Sequence, residues 1–536
     1  MANTTLKVRN RIATKTSAEW ETENPILLKG EMGYDSISNK VKVGDGVTKW
    51  TELDYMMSVD INVINKILDI HNIAINDLKN TSIINVAEDG FYVTDNDGYV
   101  IFKVDEKGLK TPMSSLDENS YSYGIEIDTT SSSPTLKRIG NPQLHKSLPI
   151  QSKMRGCLLD DNGNVTKYLS DNDWVDNSFI DGTQGQVMVE IPKFYYKFET
   201  DGDIQRVRIS EYPLSGYKLS NTMYVGAYEA SLQRSTLKLC SVCNYDADYR
   251  GGKNQSDWDG TYRSMLGKPV TTISRINFRK YARNRNTTTI NWNILIYQMY
   301  KIIYWLYTIE YASLNSQLEY NAELTSEGYH QGGLGAGVTN LDGTSWGNFN
   351  SLYPFIPCGC TNSLGNGTGI EPYEVKDADG NVLHTTNVPR YRGIENPFGH
   401  LFKFVDGVNI RISPTEENGG DGLSKVYVCK DPSLFNDDNY DGYDYVGDEA
   451  RNNGFVKKLI FGDDGEIMPL EVGGGTTAYF CDYHYTNIPT SAESLKAVLF
   501  GGTALIGPNA GFACAYSHYA PSAAVASIGS RLCFIK

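Results

Sequence analysis

Three spacings of apolar residues succeed one another along the 536 residues, and each predicts a different architecture. Met57, Ile61, Ile64, Leu68, His71, Ile75 and Leu78 alternate steps of four and three, the seam of a supercoiled helix. Residues 54–80 are therefore expected to form a coiled coil. A second stripe of Val63, Ile67, Ile70 and Ala74 widens the apolar face, and isoleucine at core positions favours three strands or more. The expectation is a homotrimer, with this segment about 40 Å long at about 1.5 Å per residue. His71 reads as a register residue of that core; three copies around the axis are the alternative, an ion site.

From Gly90 the period drops to two. Phe91 and Val93, then Val100, Phe102 and Val104, flank an Asp95-Asn96-Asp97-Gly98 turn, and a second turn follows at Asp105 to Gly108. Residues 81–113 are expected to form a shaft of β-hairpins. So short a run cannot bury its own apolar face, so it should intertwine with the other subunits. Residues 114–139, rich in Ser, Thr and Asp, read as a linker.

Beyond residue 140 one long unit carries a single strong helical pattern, Asn291 to about Ser316, with Leu295, Met299, Ile302, Leu306 and Ile309 on its apolar face. Turn signals such as Asp160-Asp161-Asn162-Gly163, Asp379-Gly380-Asn381 and Asp463-Asp464-Gly465 divide the rest into short strands. At the other end, residues 1–53 read as a small β domain. It holds the run Val41-Lys42-Val43-Gly44, a Gly44-Asp45-Gly46 turn, and Trp50 and Leu53 to close it. About fifty residues rarely support an independent core, so help from neighbouring chains is expected. The fold class is thus multi-domain and β-rich α+β.

Composition agrees with this picture and removes several functions. With 36 Tyr and 51 Gly against 19 Pro, and 40% hydrophobic residues, the chain favours strands and tight turns over disorder. A net charge of -15 without any Lys/Arg cluster speaks against nucleic acid as a partner. The first fifteen residues lack an apolar signal region, and the stretch Ile294 to Leu306 is broken by Gln298 and Lys301, so membrane insertion is not expected. Nine cysteines are too few and too irregular for a disulfide scaffold, which suggests folding in a reducing cytoplasm. Cys240/Cys243 and Cys358/Cys360 have no following His and read as buried thiols rather than zinc ligands.

Some motifs offer chemistry. Asp437, Asn439 and Asp441, with Gly442 and Asp448, fit the opening and last ligand of a calcium loop; Asp444 at the eighth position and the missing helix before Pro432 count against it. No cofactor is required, and calcium is the ion this loop could hold. Gly343-Thr344-Ser345-Trp346-Gly347 has the letters of a nucleophile elbow without the strand and helix that should flank it. Carboxylate pairs for glycoside cleavage carry no local motif.

The N-terminal unit resembles the N-terminal domain of phage tropism determinants and tail fibres. The resemblance rests on Arg11, Trp20, the run Leu27-Leu28-Lys29-Gly30-Glu31-Met32-Gly33, and Lys42-Val43-Gly44-Asp45-Gly46 with Trp50 and Leu53. It implies attachment to other virion proteins. Four later segments resemble, in order, the formylglycine-generating-enzyme type of C-type-lectin fold. They are Tyr224 to Ala230, Trp305 to Ala312, Glu395-Asn396-Pro397-Phe398-Gly399 with Val405-Asp406-Gly407, and Val498 to Thr503 with Ile528-Gly529-Ser530-Arg531-Leu532. Phage receptor-binding proteins, including ones diversified by retroelements, use that fold and end in a similar Gly-Ser-Arg tail. The resemblance therefore implies a receptor-binding domain over residues 140–536.

Oxidase members of that fold carry two redox cysteines shortly after the Gly-Gly turn, and Ala504 to Phe512 contains none, so an enzyme is not expected. The stretch that follows mixes aromatic with small polar residues, as adaptable binding surfaces do. Asn509, Phe512, Tyr516, Ser517, His518, Tyr519 and Ser522 are the candidate receptor-binding residues, for a host surface glycan or protein. The reading is a phage virion fibre protein, folded in the host cytoplasm, that attaches the particle to its host. A tail fibre is favoured; the alternatives are a capsid-bound head fibre and a fibre-borne polysaccharide-degrading enzyme.

Overall fold

A computed structural model describes residues 13–38, 40–55 and 117–536, and the backbone of 83–87, 90–94, 100–105 and 108–110. Two units divide the chain, residues 1–109 and 110–536.

The first unit opens with strand β1 (Ala13–Lys15), helix α1 (Ser17–Glu23) and strands β2 (Met32–Asp35) and β3 (Lys40–Val43), in sheet order β1-β2-β3. Thr16 and Glu19 start α1 with a capping box, and Asn24 ends it in the left-handed conformation. The core is Trp20, Leu27 and Trp50, with the two indoles stacked at 4.0 Å. The motif residues act as spacers and turns around that stack. A Cβ on Gly33 would lie 2.4 Å from the Trp50 ring, and one on Gly44 2.5 Å from the backbone oxygens of Leu27 and Leu28. Asp45 accepts from the amides of Val47 (2.9 Å) and Thr48 (2.7 Å), which turns the chain back toward Trp50.

The alternating segment folds into strands β4 (Ile83–Ala87), β5 (Gly90–Thr94), β6 (Val100–Asp105) and β7 (Gly108–Lys110), a four-stranded sheet in chain order. Its register sets Phe91 opposite Val104 and Val93 opposite Phe102, so the residues of the period-two pattern meet across one pair of strands. The heptad positions Met57 to Leu78, His71 among them, lie outside the described residues.

The second unit holds three larger sheets. An antiparallel five-stranded sheet runs in the order 218–220, 194–201, 204–210, 123–128, 137–140. A six-stranded sheet runs 165–168, 155–159, 186–191, 223–226, 532–535, 292–294, so Leu532–Ile535 lies between two segments distant in sequence. The third sheet has strands 402–412, 494–501 and 511–517 at its centre and two parallel contacts, between 483–486 and 511–517 and between 402–412 and 528–529.

From Asp117 on, the expected linker 114–139 is a correction. Glu118–Tyr121 is a short helix and Tyr123–Asp128 a strand whose Tyr123, Ile125 and Ile127 enter the main core. The Ser/Thr-rich stretch is only the loop between that strand and Lys137–Gly140.

The expected long helix is also shorter. Trp292–Ile294 is a strand, and the helix runs Tyr297–Tyr311, ending at Ala312 in the left-handed conformation. Only Gln298 and Ile302 reach solvent, so the helix is buried on all sides rather than on one face. Three of its polar side chains find partners inside the protein, while the buried hydroxyls of Tyr304 and Tyr307 have none among the described residues. Tyr300 donates to the carbonyl of Phe512 (2.7 Å), Trp305 to that of Gly465 (2.8 Å), and Lys301 pairs with Glu466 (2.8 Å). A basic helix, Arg275–Arg283, was not expected from the apolar pattern. Among the described residues no helix is long and apolar enough to cross a membrane.

Candidate functional site

Buried charge holds together the segments that resemble the lectin-like fold. The Arg531 guanidinium donates to the carbonyls of Gly226 and Ala227 (both 3.2 Å), Asn396 (2.5 Å) and Glu395, so one side chain ties the last segment to the first and third. Nearby, Glu229 meets His400 Nδ1 (2.5 Å) and Lys403 Nζ (3.1 Å). Burial opposes its ionisation, but His400 and Lys403 hold the Glu229 carboxyl well below the usual range. Glu310 pairs with Arg392 and accepts from Tyr391. Apart from the partly exposed Arg392, these groups are buried and serve the architecture.

The surface at 509–522 is different. Parallel pairing sets Tyr485 beside Tyr516 and Thr486 beside Ser517. Successive rings then touch: Phe455 and Tyr483 at 5.0 Å, Tyr483 and Tyr485 at 4.5 Å, Tyr485 and Tyr516 at 5.1 Å, Tyr516 and Tyr519 at 5.4 Å. His518 lies against both Tyr516 and Tyr519. Every ring of this row is partly exposed, whereas Phe402, which packs on Tyr516 at 4.9 Å, is buried beneath it. Asn509 donates to the Tyr485 hydroxyl (2.7 Å). Burial pushes the Tyr485 and Tyr516 phenols up to about 12, so both keep their proton at neutral pH. Burial, aided by Lys496, lowers His518.

Below the row, side chains alternate inward. Ser517 donates to Glu449 (2.7 Å), Asp482 accepts from the amide of Ala513 (2.7 Å), and His484 Nε2 meets the carbonyl of Ala450 (2.9 Å). Burial raises Glu449 to about 8 and Asp482 well above its ordinary value, and lowers His484 to about 4. Near neutrality His484 is thus uncharged and Glu449 largely protonated, and burial favours the protonated form of Asp482.

Of the candidate residues, Asn509, Tyr516, His518, Tyr519 and Ser522 reach the surface. Phe512 and Ser517 are buried and cannot contact a receptor in this conformation, which corrects their assignment. The pairing register shifts between Phe500 and Gly501, and Phe512 turns in to pack on Tyr300, Tyr307 and Phe398. Phe455, Tyr483 and Tyr485 were missed, because only strand pairing brings them to Tyr516.

The candidate calcium loop is a second correction. Asp437 accepts from Arg275 (2.7 Å) and Arg279 (2.9 Å), so two guanidinium groups occupy the first ligand's lone pairs. Asn439 accepts from the amide of Asp441 within a turn, and Asp448 lies in a strand opposite Lys425. Among the described residues no group of three metal-ligating side chains forms. Nor is there an elbow at Ser345: it sits inside a helix, Gly343–Phe349, its amide bonded to the capping Asp342. The thiols are individual; Cys243 donates to the carbonyl of Cys358 (2.9 Å) and Cys533 to that of Ile294 (3.0 Å).

Within the first unit, residues 14–48, which hold Trp20 and the spacers Gly33 and Gly44, match the family model described as Major tropism determinant N-terminal domain. Solved structures similar to the chain include the Major Tropism Determinant P3c Variant (11% identity, TM-score 0.22, covering 98% of this chain and 99% of that one). The U1 Variant gives 12% and 0.23 at the same coverage, and the M1 Variant 11% and 0.24, covering 98% of each chain. Superposition at these scores is too loose to bear on the second unit. No curated protein matches the chain.

Proposed function

We propose that the chain is a receptor-binding protein of a bacteriophage particle, joined to the virion through its N-terminal unit and to the host through its second unit. The observation that carries the reading is the tropism-determinant type of the N-terminal domain. The second unit is read as a C-type-lectin-like domain on its four ordered segments and the Arg531 clasp that joins three of them. Three copies assembled by the heptad seam would multiply a weak contact through effective concentration.

The row of rings from Phe455 to Tyr519 is the proposed contact surface. Tyrosine offers large, stiff area with few rotatable bonds, and protonated hydroxyls that both donate and accept. A sugar ring or an apolar peptide side chain fits such a row. No chemical step is part of the reading. Tail attachment is favoured; labelling the N-terminus in intact particles locates it.

The test is adsorption. Particles carrying Tyr516→Ala with Tyr519→Ala should adsorb to host cells at least tenfold more slowly, with the second unit still folded by amide exchange. Adsorption at the wild-type rate would move the contact surface elsewhere.

A further inference from the structure

One face of the basic helix Arg275–Arg283 borders an open cavity of about 440 Å³. That volume lies in the range of small-ligand pockets, about 300–1,000 Å³. The charges around it are unequal. Arg275 and Arg279 are matched by Asp406 and Asp437. Arg283, one turn further on, has no carboxylate: it donates to the carbonyl of Pro432 (2.5 Å) and to Asn293 Oδ1 (3.4 Å). Lys280 is exposed, and its ammonium has neither an ion pair nor a hydrogen bond among the described residues.

Ile276, Lys280 and Arg283 stand at positions i, i+4 and i+7 of the helix, hence on one face. Opposite them the cavity wall carries Thr287, Thr289 and Ile290, with both threonines exposed. Ile276 and Ile290 are 52% and 39% exposed, isolated from any apolar cluster. The cavity therefore offers two uncompensated cations, two free-standing hydroxyl side chains and two apolar patches, on a chain whose net charge is -15.

We propose that this cavity is a binding subsite for an acidic saccharide, a sugar ring bearing a carboxylate. Lys280 and Arg283 take the carboxylate, the threonines take ring hydroxyls, and Ile276 and Ile290 receive the apolar C–H face. A simple anion would use the cations and leave the rest idle. A nucleic acid would present a run of phosphates to a chain of the same sign. The inference deepens the adhesin reading and rests on it for its biological sense, since it names an acidic polysaccharide as a second contact, away from the ring row.

The experiment uses the purified full-length chain and three probes: a galacturonic acid disaccharide, its neutral galactose counterpart, and inorganic phosphate. Calorimetric or ligand-observed titration should show the acidic disaccharide binding at least tenfold more tightly than either other probe, and more weakly at raised salt. Lys280→Glu should weaken it at least tenfold. Ile290→Trp, which fills the cavity without touching a charge, should weaken it as well. Equal binding of the neutral disaccharide or of phosphate, no binding by the wild-type chain at millimolar ligand, or an unchanged Lys280→Glu variant each overturns the proposal. The Tyr516→Ala, Tyr519→Ala protein should still bind the acidic disaccharide. Thus failure of the ring row in adsorption and failure of this subsite are separate results.

Discussion

The two units solve the problem of a stable interior in opposite ways. Residues 13–55 rely on three buried apolar side chains, two of them stacked indoles, with glycines placed so that nothing intervenes. The second unit surrounds a fifteen-residue helix with protein on every side and places carboxylates, guanidinium groups and lysines within its core. In the small unit each side chain is close to indispensable, because so little apolar area is buried. In the large one, specificity comes from polar groups that must be matched one by one, since an unmatched charge costs more than a lost methyl.

That contrast is sharpest at Arg531. Arg531→Met keeps volume and removes the guanidinium donors to the carbonyls of Gly226, Ala227, Glu395 and Asn396. The expected loss is about 3–5 kcal/mol, the scale of a broken buried charge network. Hydrogen exchange should show protection falling throughout 117–536 and unchanged in 13–55; a loss under about 1 kcal/mol would demote the clasp. Trp50→Ala should do the reverse. A large-to-small aromatic change costs about 3–5 kcal/mol, enough to remove protection from 13–55 alone. If protection there survives, the indole stack is not what holds the unit together.

A smaller effect concerns pH and only the second unit. Glu449 is raised from 4.5 to about 8 by burial, so between those values the folded state holds a proton that the unfolded state has released. Stability from this group is complete below about pH 4.5, falls by up to about 1.4 kcal/mol per pH unit as pH rises, and levels off above about 8. Glu449→Gln should flatten that part of the stability curve in urea titrations at pH 5, 6, 7 and 8. An identical slope in the variant would place the proton elsewhere, with Asp482 the next group to test.

How far these features were legible depends on the distance between the residues that make them. The turn at Asp45 and the glycines at 33 and 44 are local, and the N-terminal unit was readable from its motif. The strands at 91–94 and 100–105 followed from their alternation. The segment 117–139 was misread because its Ser/Thr-rich loop outweighed the short Ile125/Ile127 alternation beside it. The helix was overextended at both ends, since a segment buried on all sides has no polar face to mark its limits. At the site, Tyr516 and Tyr519 were visible as aromatic composition, but Tyr485 reaches them only through a parallel strand pair, which leaves no signature in local spacing. Asp437 looked like a metal ligand because its arginine partners lie some 160 residues earlier.

The placement of Leu532–Ile535 also sets a timetable. Strand 223–226 has its neighbour on one side as soon as 186–191 is made, but its other partner emerges some 300 residues later. At about 5–20 residues per second, that edge waits roughly 15 to 60 s on the ribosome with its amides and carbonyls unpaired. The six-stranded sheet is thus closed last by the segment that also carries Arg531. Until then the nascent chain exposes an open strand edge, the feature by which β proteins stray into one another.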